Sequence, residues 1–123
     1  MLNWKNIFVG LLVVAGFGTA LAVVGIIVER AEQADIQKAK SQATQIIQAI
    51  DQFHMETGRY PESLEHLIPK YSAPFAAPAW GDGVWRYMLD PKGNGYHLYV
   101  RTEGRHAETL YYESAAQVWR FDR

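Results

Sequence analysis

From Ile7 to Val28 the chain reads IFVGLLVVAGFGTALAVVGIIV, without one charged residue. As a helix rising about 1.5 Å per residue, a run of this length spans roughly 33 Å, close to the ~30 Å hydrocarbon core of a bilayer. Only a helix satisfies its own backbone groups there. Trp4 and Lys5 precede the run and suit a membrane interface, while Glu29 and Arg30 close it. The sequence therefore predicts an uncleaved single-pass transmembrane helix. A cleaved signal peptide is the alternative, with Lys5 as its charged start and Ala20-Leu21-Ala22 as a small-x-small cleavage site. Val23, Val24, Ile26, Ile27 and Val28 prolong the apolar run past that site and favour the anchor. Gly16 with Ala20, and Gly18 with Ala22, are small-xxx-small pairs that predict a membrane helix-packing face. Basic residues flank both ends (Lys5 before; Arg30, Lys38 and Lys40 after), so charge alone does not set the orientation.

Beyond Val28 the composition is mixed. All 13 acidic residues and 11 of the 12 basic ones lie there, and the formal net charge of the chain is −1. That balance lacks the basic stripe of a nucleic-acid binder. The absence of cysteine excludes disulfides, thiolate catalysis and cysteine-based zinc sites. The remaining length suffices for one small domain with a modest core.

Ile36, Ala39, Ala43, Ile46, Ile47, Ile50 and Phe53 recur at helical spacing, so residues 29–57 continue the first helix as an amphipathic one. The stripe also fits about three heptads, which leaves a coiled coil as the competing reading; packing on a sheet explains it with less chain. Alanine dominates the early stripe, which predicts docking only from about Ile46 onward and an open neck over Glu29–Thr44. Gly58 suits the residue that ends the helix with positive φ. Pro61 then predicts a second short helix with Leu64, Leu67 and Ile68 on its apolar side, ended by Pro69. Ser72–Gly83 holds Pro74, Pro78, Gly81 and Gly83 and reads as a loop. Its Phe75 and Trp80 either cover the core edge or form a partner contact. Four strand candidates follow at Val84–Asp90, Tyr96–Thr102, Glu108–Ser114 and Gln117–Asp122, with turn signals at Pro91–Gly95 and Glu103–His106. They predict an antiparallel meander whose aromatic residues supply much of the buried area.

This order of elements, with A-D-x-Q-K at Ala34–Lys38 and AIDQFHMETGRYPESLEHLIPKY at Ala49–Tyr71, resembles the type IV pilin and pseudopilin superfamily, and within it the major pseudopilins of type II secretion. The resemblance implies an α+β, pilin-like fold: a long N-terminal helix, membrane span plus amphipathic half, packed on a small three- to four-stranded antiparallel sheet. It divides the chain into residues 1–28 (tail and transmembrane helix) and 29–123 (soluble domain, with 29–57 helix, 58–83 short helix and loop, 84–123 strands). It also implies an inner-membrane protein with a periplasmic domain. The N-terminus departs from the pattern. Counting back from GRYP puts the family's mature start near Trp4 and its fifth-residue glutamate near Phe8, while Gly16-Phe17 places Leu21 at that fifth position. Prepilin peptidase processing is therefore not expected. The family's calcium loop is not evident either, because Asp82, Asp90 and Asn94 are too scattered for an oxygen cage.

No reactive constellation appears. His54, His66, His97 and His106 lack metal-ligand spacing, and there is no phosphate loop, nucleophile elbow or carboxylate pair. The expectation is a non-catalytic assembly protein without cofactor or nucleic acid. Its partners are the lipid bilayer and other membrane subunits, met through the span and neck in an oligomer or hetero-complex. An accessory subunit of an unrelated membrane complex is the alternative, and a secreted small binding protein after signal cleavage is a further one.

Overall fold

The structure, a computed structural model, describes the backbone of residues 4–123 and the side chains of residues 23–123. One helix, α1, runs Trp4–Thr57. A 3-10 helix at Leu64–Leu67 follows, then four strands: β1 Arg86–Leu89, β2 Tyr96–Arg101, β3 Thr109–Glu113 and β4 Val118–Asp122. The chain divides into two compact units, residues 1–34 and residues 35–123. In the first, the side chains of residues 23–34 are exposed. Among the described residues no helix is long and apolar enough to cross a membrane. The predicted span, save for residues 23–28, and its packing face of Gly16, Gly18, Ala20 and Ala22 lie outside the described side chains.

In the second unit the four strands form one antiparallel sheet in the order β1-β2-β3-β4. This is the predicted meander, because each pair of neighbouring strands is joined by a short polar turn. Along β2 the alternation sets the faces: Tyr96, Leu98 and Val100 are buried, while His97, Tyr99 and Arg101 lie on the other side. Register carries the pattern across the sheet. Leu98 pairs with Tyr87 and Tyr112, and Val100 with Leu110. Trp119 and Phe121 extend the same inner face onto β4.

The inner face receives α1. Of the stripe read from the sequence, Ile36, Ala39, Ala43, Ile46 and Ile50 are buried and Ile47 and Phe53 half-buried, and Ala49, outside that stripe, is buried with them. Docking extends further down the helix than predicted, since Ile36, Ala39 and Ala43 are all buried. The open neck over Glu29–Thr44 is thus corrected to the residues before Ile36. The physical reason lies outside the helix: Trp80 packs into the cluster that holds Ala39, where a larger helix residue would keep its ring away.

At the top, Gly58 takes φ 75° and its N–H donates to His54 O at 2.9 Å, closing α1 as expected. The second helix differs from prediction. It is a single 3-10 turn beginning after Ser63 rather than an α-helix started by Pro61. Ser63 and Ile68, the latter just before Pro69, are both extended, which leaves only Leu64–Leu67 to turn. Its Leu67 is nevertheless fully buried beneath α1, as the apolar side of that segment predicts.

Candidate functional site

The loop between the 3-10 helix and β1 is held in place by glutamines on α1. The Gln42 side chain donates from Nε2 to Ala77 O at 3.1 Å and accepts at Oε1 from the Ala79 N–H at 2.8 Å. Gln45 Nε2 donates to Ser72 Oγ at 2.9 Å. From the sheet side, Trp85 Nε1 donates to Ala76 O at 3.1 Å. So anchored, the loop lays Trp80 into the core with 6% of its surface exposed, and packs the half-buried Phe75 against the larger apolar cluster. Of the two apolar loop residues offered by the sequence as partner contacts, Trp80 faces inward and the two belong to different clusters.

The end of the loop is tightly built. Gly81 has φ 83°, and a Cβ placed there would lie 2.7 Å from Val100 Cγ2 and 2.8 Å from Arg101 O. The Asp82 N–H donates to Arg101 O at 2.9 Å. The Asp82 carboxylate accepts from Arg86 Nη1 at 3.1 Å and Nη2 at 2.6 Å, with the acid side chain 6% exposed. Those hydrogen bonds hold the Asp82 carboxyl below its ordinary range and raise the Arg86 guanidinium. Asp90 is likewise occupied, accepting from the Lys92 N–H at 2.9 Å in the β1–β2 turn. Among the described residues no group of three His, Asp or Glu could hold a metal ion.

The titratable rings serve packing. Tyr96 sits at the centre of Tyr60, Tyr87 and Tyr112, with centroids 5.4, 5.5 and 6.2 Å away. Burial pushes the Tyr87 and Tyr96 hydroxyls well above the ordinary phenol range, so neither supplies a phenolate. Tyr87 Oη donates to Pro61 O at 2.7 Å. His54 stacks on Tyr60 at 4.1 Å. On the outer sheet face Met88, His97, Tyr99, Thr109 and Tyr111 border a shallow hollow of about 260 Å³.

Three of the exposed large apolar side chains lie on the sheet's two edge strands. In residues 35–123 the exposed large apolar side chains are Met55, Val84, Met88, Val118 and Phe121. Met55 is near the end of α1. Val84 precedes β1, Met88 lies on β1, and Val118 and Phe121 lie on β4. Edge strands with apolar side chains are places where another chain can add. The sequence reading did not single out these four. Their alternation was legible, but which strands end the sheet is a property of topology.

A long helix laid over a four-stranded antiparallel meander, with polar side chains spent on pinning a loop, defines a pilin-like structural domain. Residues 26–114 match the family described as type II secretion system (T2SS), protein G, and the chain belongs to that family. A curated relative, the type II secretion system core protein G of Aeromonas hydrophila, is 35% identical over 72 residues, which is 54% of this chain and 50% of that protein. The chain thus spans about half the length of the curated relative it matches. No solved structure matches it.

Proposed function

We propose that this protein is a membrane-anchored, non-catalytic pseudopilin-like subunit of a secretion or related envelope complex, with its sheet-bearing domain on the periplasmic side of the inner membrane. The observation that carries the reading is the joining, on one helix, of an uncharged run at Ile7–Val28 to a domain of the protein G family. In this reading the apolar run occupies the bilayer, and Gly16, Gly18, Ala20 and Ala22 let another helix approach closely. The exposed segment Glu29–Asp35 stands between bilayer and domain, free to contact neighbouring subunits.

The test is a mild-detergent pull-down of the full chain from native membranes, with the co-purifying proteins identified. Inner-membrane components of a secretion or pilus machine are expected. Components of an unrelated complex would replace this reading with that of an accessory subunit. The double substitution Gly16→Leu and Gly18→Leu is expected to reduce co-purification while leaving the chain in the membrane. Unchanged co-purification would remove the helix-packing face from the account.

A further inference from the structure

We infer that Asn94, in the turn between β1 and β2, is a site of spontaneous covalent modification. The Gly95 amide nitrogen attacks the Asn94 side-chain carbonyl carbon and closes a cyclic imide. A C–N bond forms, the Cγ–Nδ2 bond breaks, and Nδ2 leaves as ammonia with the proton lost from Gly95. Water then adds to one or other ring carbonyl and opens the imide to aspartate or to isoaspartate. The isoaspartyl product routes the main chain through the Asn94 side chain, lengthens the turn by one atom and loosens β1 from β2. The inference stands on residues 82–115 alone and needs neither the anchor nor the family.

Ring closure needs a short side chain ending in a carbonyl, followed by an amide that no side chain shields, which glycine supplies. The chain offers that pair twice, at Asp82-Gly83 and at Asn94-Gly95, whereas Asn3 and Asn6 precede the bulky Trp4 and Ile7. The fold treats the two pairs oppositely. The Asp82 side chain is 6% exposed. Its carboxylate accepts from both Arg86 Nη atoms and from the Val84 N–H at 3.2 Å, and those bonds keep it ionised. A fixed carboxylate is a poor electrophile. Asn94 is exposed, and its side chain makes no hydrogen bond among the described residues. The turn around it is closed by other groups: the Asp90 N–H donates to Gly95 O at 2.9 Å, the Gly93 N–H to Asp90 O at 2.8 Å, and the Lys92 N–H to Asp90 Oδ1 at 2.9 Å. The Gly95 N–H itself has no acceptor among the described residues. Nucleophile and electrophile are neighbours, and neither is engaged elsewhere.

The two products differ in what they do to the fold. Gly95 is buried, and a Cβ placed on it would lie 2.5 Å from Ser114 Oγ and 3.5 Å from Ala115 N. The same Ser114 Oγ accepts from the Tyr96 N–H at 2.7 Å, and the Ser114 N–H donates to Tyr96 O at 3.1 Å. Tyr96 is 2% exposed, lies in the larger apolar cluster and pairs with Leu89 of β1. An extra main-chain atom just before Gly95 finds no slack on that side. The Asp90–Gly95 hydrogen bond and the Leu89–Tyr96 pairing have to give instead. The aspartyl product keeps the main chain and adds one charge to an exposed turn beside Lys92, a change the fold tolerates.

The test ages the full chain, folded in mild detergent, at neutral and at mildly alkaline pH, beside the same chain unfolded in urea. Trypsin releases Gly93–Arg101, in which Asn94 is the one asparagine, for mass analysis. Labelling by an isoaspartyl methyltransferase separates isoaspartate from aspartate. The expected result is loss of ammonia from that peptide in the folded chain, faster as hydroxide rises because attack follows deprotonation of the Gly95 amide. Asp82 stays unlabelled, and Asn94→Gln, which would need a larger ring, does not convert. The isoaspartyl fraction should melt about 5 °C below fresh protein, while Asn94→Asp, with the charge but no added atom, stays within about 2 °C. Conversion in urea but none in the folded chain would overturn the site. Equal melting of the isoaspartyl fraction and Asn94→Asp would overturn the loosening of β1.

Discussion

Two stretches of the α1 stripe fill the same groove in different ways. The upper stretch, Ala43 to Ile50, contributes long side chains that meet Leu67, Tyr96 and Leu98, and Phe53, Tyr60, Tyr87 and Tyr112 among others surround them. The lower stretch, Ile36 to Ala39, offers little of its own. Its cluster comprises Trp80, Val100 and Leu110, flanked by Trp85 and Trp119. The upper core is therefore supported from many sides, whereas the lower core depends on one ring delivered by a loop. Ala39 is small where the ring needs the space. The price of that solution is that a loop 35 residues away in sequence has to be fixed precisely where it is needed by Gln42.

The largest expected effect follows from this dependence. Trp80→Ala should cost about 3–5 kcal/mol in denaturant unfolding, the range for truncating a buried aromatic. It should also raise amide exchange around Ala39 and Val100 more than around Ile46. A loss below about 1 kcal/mol would mean that the lower cluster is not part of the cooperative core. Ile50→Ala, in the better-supported upper core, should cost about 3 kcal/mol and spread its exchange increase evenly. Gly81→Ala comes next, at about 2 kcal/mol, since a residue with a Cβ is strained at that φ and would meet Val100 and the Arg101 backbone. Gln42→Ala should lose about 1–2 kcal/mol with its two hydrogen bonds to the loop, while exposed Gln48→Ala stays within about 0.5 kcal/mol. Equal effects of the two glutamine changes would sever the link between α1 and the loop.

The smallest effect is a dependence on pH. The Asp82 carboxyl is held low by Arg86, so its contribution is present above the ordinary carboxylate value of 3.8 and is lost as pH falls through the lowered value. Asp51 has the opposite sign. Burial raises its carboxyl, with His54 opposing, so stability declines as pH rises through the interval above 3.8. Melting temperature followed from neutral to acid should fall less steeply for Asp82→Asn than for the parent. Asp51→Asn should steepen the fall. A slope unchanged by Asp82→Asn would show that the pair with Arg86 contributes nothing to holding the loop.

Much of this architecture was legible in the residues. The stripe from Ile36 to Phe53, Gly58 as the helix stop, and the alternation of Tyr96 to Arg101 each report a local periodicity or a backbone requirement. The GRYP segment with its neighbours carried the family likeness. What stayed hidden depended on distant partners. Ala39 reads as a weak contact until Trp80 is placed on it, and Gln42 looks like one more solvated glutamine until the loop arrives. The same applies to the exposed edges. Val118 and Phe121 look like ordinary strand residues, and only the order of the strands makes β4 a border. Pro61 misled for a local reason, since a proline can open a helix, yet Ser63 and Ile68 are extended and leave only one turn between them.

One measurement on the apolar run Ile7–Val28 tests the whole reading most directly. N-terminal sequencing and peptide mapping of the native protein, recovered separately from alkaline-washed membranes and from the soluble fraction, report both processing and location. The account predicts a species that retains Ile7–Val28 in the washed membranes. A soluble species beginning at Val23 would contradict it, showing that Ile7–Val28 serves as a signal and not as an anchor.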